Sequence, residues 1–184
     1  MRALGFDPVA DTQQTFRAMV DAMSRPGTIH TVPAGPADHA VVITLVDNEV
    51  TFHTADESLS SALAAANRLT AAPIDEADII HLGNQRAVSL DDANQGTLKE
   101  PSDGATVIYR VEAIHETARS DDTNIKVCGP GVPDRRVIGV DGIPPDILRT
   151  IADVNTAFPR GLDVVIAAEE TVTAIPRSTT LEVL

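Results

Sequence analysis

This chain of 184 residues has no tryptophan, one tyrosine and four phenylalanines, yet 43% of it is apolar. Ala, Val, Ile and Leu must therefore do the packing. Nothing covalent can substitute for that aliphatic core. Cys128 is the single cysteine, so it cannot form an internal disulfide or build a zinc site alone. A domain of this length can bury enough surface to do without staples or metals. Residues 1–184 are expected to form one domain, since no internal repeat or linker divides them.

The surface is strongly acidic. Eighteen Asp and nine Glu face twelve Arg and two Lys, for a net charge of −13. That balance opposes nucleic acid and anionic membranes as partners, because both are bound through basic patches. No apolar run approaches the ~20 residues of a membrane span, and the first residues lack the apolar stretch of a signal peptide. A cytoplasmic location is expected. Low Lys, high Asp and few aromatics also suggest a halophile, whose dense surface charge is screened by salt. An ordinary acidic protein is the alternative.

The pattern alternates helices and strands. Asp11 or Thr12 can cap a first helix whose Phe16, Met19, Val20 and Met23 share one face. Pro26-Gly27 ends it, and 28–32 reads as extended. The run 41–46 is ambiguous: its β-branched residues favour a strand, while Asp38 could cap a helix. A strand over 50–53, a helix over 58–69, a strand over 77–82 and a turn at Gly83-Asn84 follow. The stretch 89–104 reads as a long surface loop. Strands are expected over 106–111, 124–128 and 136–140, then a helix from about 146 to 156 behind Pro144-Pro145. A terminal hairpin pairs 162–167 with 172–175 around Glu169-Glu170. The order predicts an α/β fold, a mixed β-sheet flanked by helices.

Few chemical signatures stand out. His30, His39, His53, His81 and His115 show no metal-ligand spacing and read as scattered surface or strand-end residues, so no metal site is expected. No nucleophile elbow, phosphate loop or dinucleotide fingerprint is present. Three loops remain: Ser24-Arg25-Pro26-Gly27-Thr28, Gly129-Pro130-Gly131 and Pro176-Arg177-Ser178-Thr179-Thr180. Arginine beside hydroxyls suits phosphate or phosphonate oxygens, and glycines let backbone approach a ligand. Equally, Arg25 and Arg177 could pair with nearby acids, and the glycines could form a tight turn.

Together the motifs carry a resemblance. Ala22-Met23-Ser24-Arg25-Pro26-Gly27, Asp47-Asn48, Gly96-Thr97 with Pro101 and Gly104-Ala105-Thr106, Gly129-Pro130-Gly131, Phe158-Pro159-Arg160-Gly161-Leu162-Asp163 and Ala174-Ile175-Pro176-Arg177-Ser178-Thr179-Thr180 follow one another in a way that resembles the PhnH family. Its members are components of the carbon–phosphorus lyase system. The resemblance runs from about residue 6 to the C-terminus. It implies a fold similar to the large domain of pyridoxal-phosphate-dependent transferases without the cofactor. A Schiff base would need Lys99 or Lys126, and neither sits in a cofactor motif.

The resemblance also implies a role in phosphonate degradation, a core complex with the PhnG, PhnI and PhnJ proteins, and a homodimer. With PhnG, PhnI and the ATPase-like PhnL, members of this family take part when a phosphonate oxygen displaces adenine from C1′ of a nucleoside triphosphate. Arg25, Thr97, Gly129, Gly131, Arg160, Arg177, Ser178 and Thr179 are the candidate phosphate or phosphonate contacts, with Pro26, Gly27, Asp163 and Pro176 as structural positions. Arg160 departs from the family's usual leucine and could place a charge at a contact with another protein of the complex. No acid–base pair is evident, so the catalytic residues proper are expected on PhnI. Docking surfaces are sought on the Met19/Met23 side of the first helix and on the terminal hairpin. Two other readings compete: a small-anion-binding scaffold, and a pyridoxal-phosphate enzyme acting alone.

Overall fold

A computed structural model of the chain describes residues 5–83 and 89–184. It is an α/β structure with four α-helices among the described residues: α1 (Ala10–Ser24), α2 (Ala37–Leu45), α3 (Glu57–Ala65) and α4 (Pro145–Asn155). A seven-stranded sheet holds β1 (His30–Thr31), β2 (Thr51–Thr54), β3 (Thr70–Ala71), β4 (Ile79–Gly83), β5 (Thr106–Arg110), β9 (Asp163–Ala167) and β10 (Thr171–Ile175) in the order β1-β10-β9-β5-β4-β2-β3. Strands β3, β2, β4, β5 and β9 run parallel, and β10 pairs antiparallel with both β9 and β1. A second, antiparallel sheet runs β11-β7-β8-β6 from β6 (Ala113–His115), β7 (Thr123–Gly129), β8 (Val132–Asp141) and β11 (Thr180–Val183).

The central strands are buried on both faces, as parallel strands between two layers are. Phe52, Ile79, Ile108, Val165 and Ala167 pack toward α1, α2 and α3. Their neighbours Ile80, Leu82, Val107, Tyr109, Val164 and Ile166 pack toward the second sheet and α4. Alternation with period 2 thus feeds two cores from one sheet. Aliphatic side chains fill both, with Phe52 and Tyr109 the largest fully buried residues.

The run 41–46 resolves as helix through Leu45, with Val46 as its extended C-cap. Residues from Ala37 through Ile43 are all buried, so α2 is apolar around nearly its whole circumference and packing overrides the β-preference of its valines. Asp38 is no cap: it lies within the first turn of α2 and is fully buried. At α1 the expected caps are also displaced. Asp7 Oδ1 accepts the N–H groups of Val9 and Ala10 at 3.0 and 2.8 Å, so the helix begins before Asp11.

The buried stripe of α1 is Thr15, Ala18, Met19 and Ala22. Phe16 and Val20, read as sharing a face with Met19, are 53% and 50% exposed. Small residues let α1 approach its neighbours closely and turn the larger ones outward. The loop over 89–104 is tied down as well: Leu90 and Ala93 are buried, and the Gln95 carbonyl accepts the N–H of Gly161 at 2.9 Å. Thr180, read as the end of a loop, instead opens β11, which pairs with β7. Of the expected turn at Gly83-Asn84, Asn84 lies outside the described residues. No helix among the described residues is long and apolar enough to cross a membrane.

Candidate functional site

Strands β2, β4 and β5 end side by side at their carboxyl termini, the edge of a parallel sheet where ligands most often bind. A cavity of about 270 Å³ opens there, lined by Asp38, Thr54, Asp56, His81, Gly83 and Arg110 among others. Sheet register places Thr54 opposite His81. His81 belongs to a strand stretch that is otherwise Ile79, Ile80 and Leu82, so its imidazole enters the layer between sheet and helices. Asp38 and Asp56 arrive from above, in the first turn of α2 and at the N-cap of α3. Helix N-termini carry partial positive charge and favour carboxylates at both positions.

These groups form one network. Asp38 Oδ2 lies 2.9 Å from His81 Nε2 and 4.0 Å from His39 Nε2. His39 Nε2 lies 3.0 Å from Asp56 Oδ2. On its other side, His81 Nδ1 meets Thr54 Oγ1 at 2.8 Å, and that hydroxyl also accepts the Asp56 N–H at 3.1 Å. The two imidazoles meet edge to face, 5.9 Å between centroids. Arg110 Nη1 stands 4.0 Å from Asp38 Oδ1, and the same guanidinium reaches Glu169 at 3.6 Å. Asp38 Oδ1 is buried without a hydrogen-bond partner.

Burial pushes the Asp38 carboxyl up, but the His81 hydrogen bond and the charges of His81, His39 and Arg110 outweigh it and hold it below the ordinary value. Asp56 shows the same contest more strongly. Burial raises it, while the Leu59 N–H, Ser58 and His39 bring it down to about 2. Both carboxylates are thus available as anions at neutral pH. For His39 and His81 this overturns the reading as scattered surface or strand-end residues: His81 and His39 are 1% and 9% exposed and meet in one cluster. It also supplies the ionisable pair that the sequence did not reveal. The signal was there in a polar His81 inside an apolar strand and an Asp38-His39 pair opening an apolar helix.

The loops singled out from sequence gather elsewhere. Arg177 is a clamp: its backbone N–H and its Nε bond Asp163 at 2.8 and 3.0 Å, Nη2 bonds Gly104 O at 2.9 Å, and Nη1 reaches Pro101 O. Ser178 and Thr179 border the same cavity of about 470 Å³ as Arg177, and Gly129 lies directly behind Thr179. Gly131, at φ +79°, presses on the Ser24 carbonyl and the Pro26 ring, where no Cβ could fit. Pro26 is buried at that contact and Gly27 against Val127 and Arg136, and the Pro176 carbonyl accepts the Thr179 N–H at 2.8 Å. Arg25 pairs with Asp21 at 3.0 Å on the surface. Exposed Thr97 holds the Glu100 N–H at 2.9 Å, and Arg160 Nε is buried without a hydrogen-bond partner. Arg25, Thr97 and Gly131 thus lie outside the cavity that Arg177, Ser178 and Thr179 share.

The fold and site define an α/β protein with a mixed sheet and an acid–imidazole cavity at the carboxyl ends of its parallel strands. Its sequence matches the family described as bacterial phosphonate metabolism protein (PhnH) over residues 5–182, and the chain belongs to that family. It is 32% identical over 190 residues to the alpha-D-ribose 1-methylphosphonate 5-triphosphate synthase subunit PhnH of Rhizobium meliloti (strain 1021), covering 96% of this chain and 92% of that one. It is 28% identical over 173 residues to the candidate C-P lyase subunit protein HtxG of Stutzerimonas stutzeri, covering 92% and 86% respectively.

Proposed function

We propose that this chain is the PhnH component of a carbon–phosphorus lyase system and supports formation of ribose 1-methylphosphonate 5-triphosphate from ATP and methylphosphonate. The observation that carries the reading is the family match across residues 5–182, together with the Rhizobium meliloti relative, whose name is that of a component of this synthase. In the reaction, a phosphonate oxygen forms a bond to C1′ as the bond from C1′ to adenine breaks. The partners in this reading are PhnG, PhnI and PhnJ, in the cytoplasm, with the chain itself a homodimer. The apolar groove of about 470 Å³ beside Phe16, Val20, Met23 and Leu45 supports a docking role. Met19, although it borders that groove, belongs to the core, and the terminal hairpin lies within the sheet.

The chain's part is to complete a site. Arg177, Ser178 and Thr179 are its proposed phosphate or phosphonate contacts. Arg25, Thr97, Gly129, Gly131 and Arg160 act at loops that position them or face partner proteins. Likeness to the large domain of pyridoxal-phosphate-dependent transferases belongs to the same proposal, supported by the mixed sheet between its two covering layers.

The test is reconstitution. The chain purified alone should release no adenine from ATP and methylphosphonate, while addition to PhnG, PhnI and PhnL should restore release. Turnover by the isolated chain at the rate of the full set would overturn this reading, as would full activity of the others without it.

A further inference from the structure

Asp38, His39 and His81 each offer one ligand atom, and these atoms all lie within 4.8 Å of one another among buried residues. Bonds of about 2.1 Å to an ion place neighbouring donors roughly 3.0–3.5 Å apart, so the 2.9 Å and 4.0 Å separations from Asp38 Oδ2 need only a small inward shift of His39. We propose that these three residues form a binding site for a divalent transition-metal ion of the zinc or ferrous class, with Asp56 as an available fourth donor.

Four observations support it. First, Asp38 Oδ1 is buried and lacks a hydrogen-bond partner, an unusual state for a carboxylate oxygen in a wall of a cavity. Second, an ion at His39 Nε2 would replace its hydrogen bond to Asp56 and find Asp56 Oδ2 3.0 Å from that nitrogen. Third, the Thr54 hydroxyl can accept a hydrogen bond from His81 Nδ1–H, the tautomer that leaves Nε2 free to bind a metal. Fourth, two imidazoles with carboxylates select transition ions over Mg²⁺ and Ca²⁺, which prefer oxygen alone.

Arg110 is the competing cation, 4.0 Å from Asp38 Oδ1. It is 39% exposed and already near Glu169, so it can stand off while the ion holds the carboxylate. The cavity beside the cluster has room for water or an oxygen ligand on the ion's open side.

Calorimetric titration of the chelator-treated full chain with Zn²⁺ tests the site, with Mg²⁺ as a parallel titrant. One Zn²⁺ per chain is expected, with a rise in Tm and no heat from Mg²⁺. His39→Gln and His81→Gln should abolish binding, and Thr54→Val should weaken it about tenfold. His115→Gln, remote from the cavity, should bind as the unaltered chain does. His39 lies at the edge of the core, and circular dichroism of the chelated His39→Gln protein establishes that it is folded. Failure of the folded, unaltered chain to take up stoichiometric Zn²⁺ overturns the proposal. So does undiminished affinity in folded His39→Gln, which would put the ion elsewhere. The readout is binding, so it stands apart from whether the proposed role in the synthase holds.

Discussion

Asp38 and His81 are 43 positions apart in the chain, yet Asp38 Oδ2 lies 2.9 Å from His81 Nε2 with both side chains 1% exposed. The contact joins the first turn of α2 to the middle of β4 and fixes the roof of the cavity to its floor. Removing one partner leaves the other buried and unmatched. Asp38→Ala should therefore cost about 3–5 kcal/mol. In urea unfolding of the chelated protein, the midpoint should fall with the slope unchanged. A loss under about 1 kcal/mol, the range of ordinary surface substitutions, would mean that the pair does not lock α2 to the sheet.

Arg177 ties Pro101, Gly104 and Asp163 together through one guanidinium, and lysine cannot reproduce that planar fork. Arg177→Lys should lose about 2 kcal/mol or more, since each hydrogen bond to a charged group contributes about 1.5–3 kcal/mol. Thermal melts with and without methylphosphonate separate structure from binding. A deficit that appears only with the ligand present would argue against the clamp.

Gly131 combines a left-handed backbone with a closed space against Ser24 and Pro26. Gly131→Ala should cost more than the roughly 1–2 kcal/mol of the backbone strain alone. Gly5, at φ +87° and with no described residue within 4 Å of where a Cβ would stand, provides the comparison. Equal losses for Gly5→Ala and Gly131→Ala in denaturant titrations would contradict the packing at Gly131.

Asp56 caps α3 by accepting the N–H groups of Ser58 and Leu59 at 2.9 and 3.0 Å. Its folded-state pKa of about 2 lies below the ordinary 3.8, so the carboxylate stabilises the fold above pH 4. That contribution is lost as pH falls from there through 2. Asp56→Ala should cost about 1 kcal/mol at neutral pH. Stability of the chelated proteins measured against pH should converge toward pH 2. A gap that stays constant down to pH 2 would show that ionisation of Asp56 is not what caps the helix.

Phe16 and Val20 form the exposed apolar edge of α1. Phe16→Asp with Val20→Asp should leave Tm nearly unchanged, since neither side chain is core, while weakening co-purification with PhnG, PhnI and PhnJ. A chain of net charge −13 meeting similarly acidic partners should also assemble better as salt rises. Pull-down yields that are indifferent to both substitutions would remove α1 as the docking face.

Much of the architecture was legible in the sequence. Local chemistry set the ends of α4 and the strands β5, β7, β9 and β10, because proline, glycine and alternating apolar residues act over a few positions. Short elements such as β3 and β6 were not legible, since two or three residues carry no period of their own. The valine-rich run of α2 went to helix because burial on all sides outweighs a weak intrinsic preference. The motifs that mark the family proved to be loop-locking contacts at Asp163, Arg177, Gly131 and Pro26.

The acidic, aromatic-poor composition by itself determined an aliphatic core, an anionic surface and two lysines too few to suggest a Schiff base. Family motifs, local in sequence, were equally readable from the chain alone. Only the tertiary structure decided that Asp38, His39, Asp56 and His81 meet in one cluster, and that Phe16 and Val20 face outward. The reason is physical: spacing along a chain reports neighbours within one turn or one strand. Contacts between α2, α3 and β4 depend on how the sheet orders its strands and which face each helix covers.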